Sequence, residues 1–351
     1  MISLATSNIT RQVRINVNAC LDENRIGQGR FIQEFEDKFA SYMKAKHAIA
    51  VCNGSMADII SVAALKAMRP EKTEVIVPVL TFIAHPNSIL INGLTPVFVD
   101  VEWDFQIDTY KIESKITDKT LAIFPVHLLG SACNILKIMD ISKKYNLFVI
   151  EDCCEALGGE VANKKLGTFG DFGTFSFFPS HTITTGEGGM IITNNDELSL
   201  IARSLRNHGR VGENVLNKFH FKYQGFNGKM SNIIASIGSA LVDGIDRSIS
   251  NRKQNVEYLN KNLGLNWYAT SPHCYPMNFF QRDIKMKMLE EKGIESRKLF
   301  SCVTNEEAYK FLNHQVYEFP NADFISSYYY FIPIHQDLTT EELDYMVSCL
   351  Q

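Results

Sequence analysis

The segment HAIAVCNGSMADIISVAALKAM (47–68), with EVIVPV (74–79) after it, indicates the class of the fold. Its first six residues are nearly all apolar and predict a short buried strand. Asn53, Gly54 and Ser55 predict a turn, the apolar residues that follow predict a helix, and EVIVPV predicts a second strand. This order of a strand, a helix and a strand is typical of an α/β protein with a parallel sheet.

The same alternation continues outward to about residue 245. Further strands are expected at PVFVDV (96–101), LAIFPVHLLG (121–130), LFVIEDC (147–153), FGTFSFF (172–178) and GMIITN (189–194). Because these runs are apolar along most of their length, they predict a mostly parallel sheet covered by helices on both faces.

The pattern changes after about residue 245. A long helix is predicted over 245–263, FISSYYYFIPIH (324–335) reads as a strand, and TTEELDYMVSCL (339–350) predicts a terminal helix that begins with a capping box. We therefore predict three parts, which are an N-terminal segment (1–30) packed on the small domain, a large domain (31–245) and a small α+β domain (246–351).

The composition excludes several classes of function. The 351 residues include 35 Lys plus Arg and 39 Asp plus Glu, so the net charge is −4 and no basic surplus points to a nucleic-acid partner. The N-terminus lacks the pattern of a signal peptide, and prolines and polar residues interrupt the most apolar stretch (75–94). We therefore predict a cytoplasmic protein with no membrane segment. Its eight cysteines are expected to be reduced thiols, and their spacing predicts no metal site.

Candidate ligand-binding residues follow the predicted strands, where open α/β sheets bind ligands. Gly54 and Ser55 begin a helix whose N-terminus suits a phosphate, although any strand-to-helix turn uses such residues. Asp152 ends a strand. It is either the partner of a cation, such as a protonated pyridine nitrogen, or the cap of a helix.

Two ring side chains also lie near the expected ligand-binding edge. Phe82 follows the second strand and would stack on a cofactor ring or belong to the core. His181 lies between the strands at 172–178 and 189–194. A lone histidine is more often structural, but an imidazole at a cleft can accept and donate a proton near neutral pH.

Several motifs follow one another in a characteristic order. They are VPVLTFIAHPN (77–87), VIEDCCEALGG (149–159), KKLGTFGDFGTFSFF (164–178), TTGEGGMIIT (184–193), SLRNHG (204–209) and GFNGKMSN (225–232). This order resembles that of the sugar aminotransferases of the DegT/DnrJ/EryC1/StrS family. The likeness runs from about Gly27 to Gly238, continues more weakly to the C-terminus, and implies a fold-type I enzyme dependent on pyridoxal 5′-phosphate. The small domain looks compressed over 265–280, where the family carries a longer hairpin.

The resemblance implies which residues bind the cofactor phosphate. Gly54 and Ser55 match the phosphate-binding turn, and Ser176 matches a serine that also contacts the phosphate. Asn227 matches an asparagine that reaches the phosphate of the partner subunit. The resemblance therefore implies a homodimer with shared active sites.

The resemblance also implies which residues contact the cofactor ring. Asp152 matches the aspartate that pairs with the pyridine nitrogen, and Phe82 matches the aromatic residue that stacks on the ring. Glu155 stands near the cofactor oxygen, where the family commonly has glutamine.

One position departs from the family motif SFFP-x-Lys, whose lysine forms the Schiff base. Here that position is His181, and the lysines at 164 and 165 match others that the family carries beside its catalytic one. Histidine at this position resembles the sugar 3-dehydratase branch, which includes the GDP-4-keto-6-deoxymannose 3-dehydratases. The resemblance implies that the cofactor, in its pyridoxamine or pyridoxal form, is bound without a covalent bond.

The implied reaction is C3 deoxygenation of a nucleotide-linked 4-keto-6-deoxy sugar in the biosynthesis of deoxysugars for O-antigen-like surface polysaccharides. His181 is the expected catalytic base, and glutamate is the expected amine donor that restores the pyridoxamine form. Three alternatives stay open: an aminotransferase with histidine as its only base, a cofactor-binding regulatory protein without activity, and a substrate other than a nucleotide sugar.

Cysteine spacing bears on how the reaction would end. Relatives that act on CDP-sugars use a [2Fe–2S] cluster, which four thiolates normally hold. The adjacent Cys153 and Cys154 would point to opposite faces of a strand, and the cysteines at 274, 302 and 349 are far apart. We therefore expect a cluster-free enzyme that finishes by hydrolysis.

Overall fold

The computed structural model describes residues 1–211, 219–315 and 317–351. Its strands in chain order are β1 His47–Val51, β2 Glu74–Pro78, β3 Thr95–Val99, β4 Thr120–Ile123, β5 Phe148–Asp152, β6 Glu160–Val161, β7 Lys164–Lys165, β8 Phe172–Ser176, β9 Gly189–Thr193, β10 Tyr275–Asn278, β11 Arg297–Lys298 and β12 Tyr329–Ile332. The α-helices are α1 Arg11–Asp22, α2 Arg30–Met43, α3 Gly54–Met68, α4 Ala84–Ile91, α5 Thr109–Ile112, α6 Ile135–Tyr145, α7 Asp196–Arg206, α8 Asn232–Leu241, α9 Ile245–Leu263, α10 Arg282–Glu291, α11 Pro320–Tyr328 and α12 Thr340–Leu350. Over the described ranges, each helix is too short or too polar to cross a bilayer.

A seven-stranded sheet with the order β1-β9-β8-β5-β4-β2-β3 forms the centre of the molecule. The strands from β8 through β5, β4 and β2 to β3 pair in parallel, whereas β9 is antiparallel to both β1 and β8. Every residue of β4 and β9 is buried because helices cover both faces of the sheet. The predicted α/β class with a mostly parallel sheet is confirmed.

The edge strand β1 is covered by three side chains that we call the edge cluster: Glu36, Arg203 and Arg206. The Glu36 carboxylate accepts hydrogen bonds from Arg203 Nη1 at 2.7 Å, Arg206 Nη1 at 2.6 Å and the Ala50 N–H at 2.9 Å. The two arginines also donate to the carbonyls of Ala48 and Ala50. The edge cluster therefore pairs main-chain groups that an edge strand otherwise leaves free.

The C-terminal part is built around a three-stranded antiparallel sheet, β10-β12-β11. The capping box of α12 is present, since Thr339 Oγ1 accepts from Glu342 N–H and the Glu342 carboxylate accepts from Thr339 N–H. The prediction of one strand over 324–335 was wrong in its first half. There α11 begins at Pro320, whose fixed φ suits the first helical position, and only 329–332 forms a strand.

The N-terminal segment contacts both parts of the molecule. Ile2 N–H donates to the Gly293 carbonyl at 2.8 Å, next to the C-terminal sheet. Helix α1 instead packs on α8, where Asn16 Nδ2 donates to the Ser236 carbonyl at 3.2 Å. The expectation that all of 1–30 packs on the small domain is therefore corrected for α1, while the boundaries at 30 and 245 stay predictions.

Candidate active site

A cavity of about 590 Å³ lies at the carboxyl ends of the parallel strands. All the predicted site residues except Asn227 line it: Gly54, Ser55, Phe82, Asp152, Glu155, Ser176 and His181. Although more than 120 positions separate the first of these residues from the last, the parallel strands bring them to one edge of the sheet.

The N-terminus of α3 forms one end of the cavity. Asn53 caps the helix through a hydrogen bond from Met56 N–H to its Oδ1 at 2.8 Å, and no acidic residue lies in the first turn. A Cβ on Gly54 would lie 2.7 Å from Ser176 Cβ, so only glycine lets the helix approach that serine. Free N–H groups, a positive dipole end and two hydroxyls make this end suitable for a phosphate.

Asp152 lies at the floor of the cavity and is 4% exposed. Its Oδ1 accepts from Cys154 N–H at 2.8 Å, and its Oδ2 lies 2.6 Å from His85 Nε2. The other ring nitrogen, His85 Nδ1, lies 2.9 Å from the Phe82 carbonyl and 2.7 Å from Thr81 Oγ1. Because one ring nitrogen faces a carbonyl and the other a carboxylate, His85 is best paired as an imidazolium that donates from both.

Electrostatics favour the same protonation state. Burial disfavours a charged imidazole, but the adjacent Asp152 carboxylate outweighs that cost and raises the pKa of His85 to about 9. Burial opposes ionisation of Asp152 as well, yet the imidazolium holds its pKa below the usual range. Asp58 lies 3.9 Å from His85 Nε2, and burial raises its pKa to about 7. One anion, Asp152, is therefore fixed at the floor of the cavity.

His181 and His273, which we call the histidine wall, lie side by side in the cavity. Their ring centroids are 5.0 Å apart with an interplanar angle of 40°. The Nδ1 atoms of both rings are buried and have no hydrogen-bond partner among the described residues. Burial lowers the pKa of His181 to about 4, against the attraction of Asp152, and lowers the pKa of His273 well below its ordinary value. Both rings are therefore neutral and able to accept a proton.

Phe82 and Glu155 complete the cavity. Phe82 is 50% exposed and its ring lies 5.8 Å from that of Phe300, so one aromatic face is open to a planar ligand. Glu155 Oε2 accepts from Leu129 N–H at 2.6 Å, and its Oε1 lies 3.8 Å from His273 Nε2. Burial raises the pKa of Glu155 to about 7, so this group is poised to titrate near neutrality.

The lysines near the sequence motifs are engaged away from His181. Lys164 Nζ lies 4.5 Å from the centre of the Phe169 ring, and Lys165 Nζ lies 3.4 Å from Glu160 Oε1. Lys298 does line the cavity, but its Nζ pairs with Asp283 Oδ2 at 3.0 Å. None of these lysines stands at the position of His181.

Asn227 does not line the cavity of its own chain. It forms an isolated β-bridge with Asn207, whose Oδ1 accepts from Lys229 Nζ at 3.1 Å. Its role at the partner's phosphate stays a prediction.

The sequence did not identify three groups that the structure places in the site, namely Asp58, His85 and His273. A signal existed for His85, which lies three residues after Phe82 at the same strand end. Asp58 looked like one polar residue in an apolar helix, and His273 lies in the compressed stretch 265–280.

Comparisons with known proteins give the family. A family model described as the DegT/DnrJ/EryC1/StrS aminotransferase family matches residues 7–351. GDP-perosamine synthase of Caulobacter vibrioides is 37% identical over 99% of this chain and 97% of its own length. GDP-4-keto-6-deoxy-D-mannose 3-dehydratase of Yersinia pseudotuberculosis is 28% identical over 99% of this chain and 98% of its own. The solved Escherichia coli GDP-4-keto-6-deoxy-D-mannose-3-dehydratase with bound hydrated PLP superposes with a TM-score of 0.92 and 27% identity, covering 100% of both chains. The chain belongs to the DegT/DnrJ/EryC1/StrS aminotransferase family, and its cofactor is pyridoxal 5′-phosphate or the pyridoxamine form.

Proposed function

We propose that this enzyme dehydrates a nucleotide-linked 4-keto-6-deoxy sugar at C3 and uses His181 as its base. The observation that carries the proposal is the neutral imidazole of His181 in the cavity, at the position where the family motif has its lysine. An imidazole moves a proton, but it cannot form the covalent bond to the cofactor that a lysine amine forms.

The cavity fits the cofactor. The α3 N-terminus with Gly54, Ser55 and Ser176 would hold its phosphate, in the cradle that a Cβ on Gly54 would fill. Asp152 would hold a proton on the pyridine nitrogen, and Phe82 would cover one face of the ring. When bound, the cofactor supplies an electron sink for carbon chemistry next to its amine nitrogen.

His181 would work in two directions. Because its ring is neutral, it can take a proton from the C4′ carbon of the cofactor. The resulting imidazolium then donates that proton to the C3 hydroxyl of the sugar, which leaves as water. Asp152, fixed by His85 and Cys154, would hold the proton on the pyridine nitrogen, and this positive charge is what lets the cofactor serve as an electron sink. Glu155, next to His273, would bind near the cofactor oxygen.

The overall reaction balances with glutamate as the co-substrate. The sugar loses the C3 oxygen and is reduced by two electrons, while glutamate is oxidised to 2-oxoglutarate and releases its nitrogen as ammonia. The products are a 4-keto-3,6-dideoxy sugar, 2-oxoglutarate and ammonia, with no net water. The names of the Yersinia and Escherichia coli relatives support this reaction, since both are 3-dehydratases of a GDP-linked keto sugar.

Transamination is the second candidate, favoured by the 37% identity to a GDP-perosamine synthase. In that case the sugar C4 would keep the nitrogen. Overall identity reflects the whole chain, whereas proton transfer depends on the group at position 181, and for that reason we place dehydration first.

Product analysis tests the proposal. The purified protein is incubated with glutamate and a set of GDP-, CDP- and dTDP-linked 4-keto-6-deoxy sugars, and the products are identified by mass spectrometry. We expect a product lighter than the substrate by one oxygen, with ammonia released in equal amount and no reductase required. An amino sugar would establish transamination. Cofactor binding with no turnover would favour a regulatory protein or a substrate outside this set.

The mode of cofactor attachment is tested separately. Borohydride reduction and peptide mapping should find no pyridoxyl-lysine in the wild-type protein, whereas His181→Lys should gain one at position 181. A stoichiometric adduct on Lys298, Lys229, Lys164 or Lys165 would contradict noncovalent binding.

We also propose that the active site is shared in a homodimer, because Asn227 lies outside its own cavity. Mixing separately inactive His181→Asn and Asn227→Ala chains should restore activity, since one site of each heterodimer would be intact. Failure of two well-folded variants to complement each other would contradict sharing.

A further inference from the structure

Arg252, on α9, is a buried cation whose hydrogen-bond acceptors within the described part of the chain are all neutral. It is 1% exposed. Its Nη1 donates to the His273 carbonyl at 2.8 Å, and its Nη2 donates to the carbonyls of His181 at 3.1 Å and Ser180 at 3.3 Å. Its Nε donates to Gln336 Oε1 at 3.1 Å. The guanidinium therefore joins the main chains behind both rings of the histidine wall.

This arrangement is costly for stability. A buried charge normally has an opposite charge beside it, because desolvation is not repaid by neutral acceptors alone. Burial lowers the pKa of Arg252 to about 10, and the Asp337 carboxylate only partly opposes that shift. A feature that weakens the fold and contacts two active-site segments suggests a role in the site.

The main chain around His273 has hydrogen bonds to another segment besides those to Arg252, whereas fewer such bonds hold the main chain of His181. His273 N–H donates to the Leu129 carbonyl at 3.2 Å, and Ser271 N–H donates to the Gly130 carbonyl at 3.1 Å. Gly130 has a φ of +83°, and a Cβ there would lie 1.8 Å from the Ser271 oxygen, so the two main chains touch. His181 N–H donates within its own turn, to the Phe178 carbonyl at 3.0 Å.

We propose that Arg252 is a positioning residue for His181, because it fixes the main chain of Ser180 and His181 against that of His273 so that the two imidazoles share one wall of the cavity. This inference rests on the proposed role of His181 as the base. It adds a residue that lies behind the cavity wall, outside the residues that line the cavity.

Charge supports the same role. The charged and titratable groups around the histidine wall come from several elements: Asp152, Glu155, Arg252, Cys274, Arg297 and Asp337. After burial, the Arg252 cation is a further cause that lowers the pKa of both His181 and His273, and Asp152 opposes it at His181. Arg252 therefore helps to keep His181 in the form that accepts a proton.

The test compares Arg252→Lys and Arg252→Met, with Arg247→Met as the matched control. Arg247 lies on the same helix but is exposed. Arg252→Lys keeps the charge and loses the planar fork, so we expect kcat to fall about 10- to 100-fold, as misplaced catalytic groups do, with KM changed less than about threefold. Arg252→Met removes the charge, so the His181 pKa should rise.

The decisive readout needs no substrate. Histidine ring signals are followed by NMR as a function of pH in the cofactor-loaded protein, and the His181 signal is identified by its loss in His181→Asn. We expect Arg252→Met to raise the pH at which His181 titrates and Arg247→Met to leave it unchanged. This result does not depend on whether the product is deoxygenated or aminated, so its failure is distinct from failure of the proposed reaction.

Two outcomes would overturn the proposal. One is that both Arg252 variants fold as the wild type does and leave the His181 titration and kcat unchanged. The other is a crystal structure of the wild-type protein in which Arg252 does not bond the carbonyls of both His181 and His273. This measurement needs no variant, so it decides the matter even when neither Arg252 variant folds.

Discussion

The edge cluster and the histidine wall are both shielded groups of ionisable side chains, but their charges are handled differently. In the edge cluster, a carboxylate accepts from two guanidinium groups and a main-chain N–H. Behind the histidine wall, the acceptors of the Arg252 guanidinium are neutral, and the two Nδ1 atoms lack a hydrogen-bond partner, as far as the described residues extend. The edge cluster therefore pairs opposite charges at a structural position, whereas the Arg252 charge stands beside the histidine to which we assign proton transfer.

The substitution with the largest expected effect is His181→Asn, which tests the catalytic role of the histidine wall. We expect turnover to fall about 10²- to 10⁴-fold, the range typical of a lost general base. Cofactor affinity and the free energy of unfolding should change little, because the ring has no side-chain hydrogen bond to lose among the described residues. Steady-state kinetics, cofactor titration and urea denaturation check the three expectations. Near-wild-type turnover would remove His181 from the mechanism.

The converse variant is Glu36→Gln in the edge cluster. Breaking a buried ion pair costs about 3–5 kcal/mol, and we expect about 2–3 kcal/mol here because Arg203 stays one-third exposed. Urea denaturation measures this loss, while kcat per folded molecule should stay unchanged. Asp37→Asn, on an exposed neighbouring carboxylate, is the control and should stay within about 0.5 kcal/mol of wild type. Equal stability of the two variants would contradict the structural role of Glu36.

His85 shares a feature with each region. Its charge is compensated, as in the edge cluster, but the compensating group, Asp152, is an active-site residue. Its pKa is about 9 in the folded chain against 6.5 in the unfolded one, so folding takes up a proton. The stability it contributes is complete below about pH 6.5 and is lost as the pH rises toward 9, by up to about 3 kcal/mol. His85→Gln should remove most of this pH dependence and weaken cofactor binding about tenfold.

Unfolding free energies at pH 6.5 and pH 9 in the two proteins measure the difference for His85. Parallel pH profiles for wild type and His85→Gln would show that His85 is not charged in the folded state.

The smallest expected effect distinguishes two N-cap residues, Asn53 of α3 and Thr339 of α12. Asn53→Ala and Thr339→Ala each remove an N-cap hydrogen bond, at Met56 N–H and Glu342 N–H, and each should cost about 1 kcal/mol of stability. Of the two, Asn53 lies at the end of the cavity where we propose that the cofactor phosphate binds, so only Asn53→Ala should also weaken cofactor binding. Equal cofactor affinity in the two variants would place the phosphate elsewhere.

The central sheet and the predicted side of the cavity followed from local patterns. Strands such as β4 and β9 are apolar throughout, and a fully buried parallel sheet requires that composition. Asp152 ends a predicted strand, and because ligands bind at the carboxyl ends of parallel strands, the sequence pattern placed it at the cavity. Ser176 was expected there only from the family resemblance.

Arg252 and His273 gave no such signal. Arg252 lies in a mostly polar helix whose composition predicts exposure to solvent. Apart from Gln336, its partners are main-chain carbonyls, which have no side-chain signature. His273 is placed by main-chain contact with the turn at Leu129 and Gly130, more than 140 residues earlier. In 324–335, neighbouring tyrosines favoured a strand, but Pro320 had already started a helix.

The edge cluster also bears on aggregation. An uncovered edge strand is a template on which a second chain can add a strand, and β1 forms one edge of the seven-stranded sheet. The outward-facing main-chain groups of β1 are paired after α2 has placed Glu36, and α7 has placed Arg203 and Arg206, beside the strand. Until those helices dock, a folding chain presents the apolar strand HAIAV (47–51) to its neighbours. The yield of native protein should therefore depend on chain concentration during refolding, and most strongly in chains whose edge cluster is incomplete.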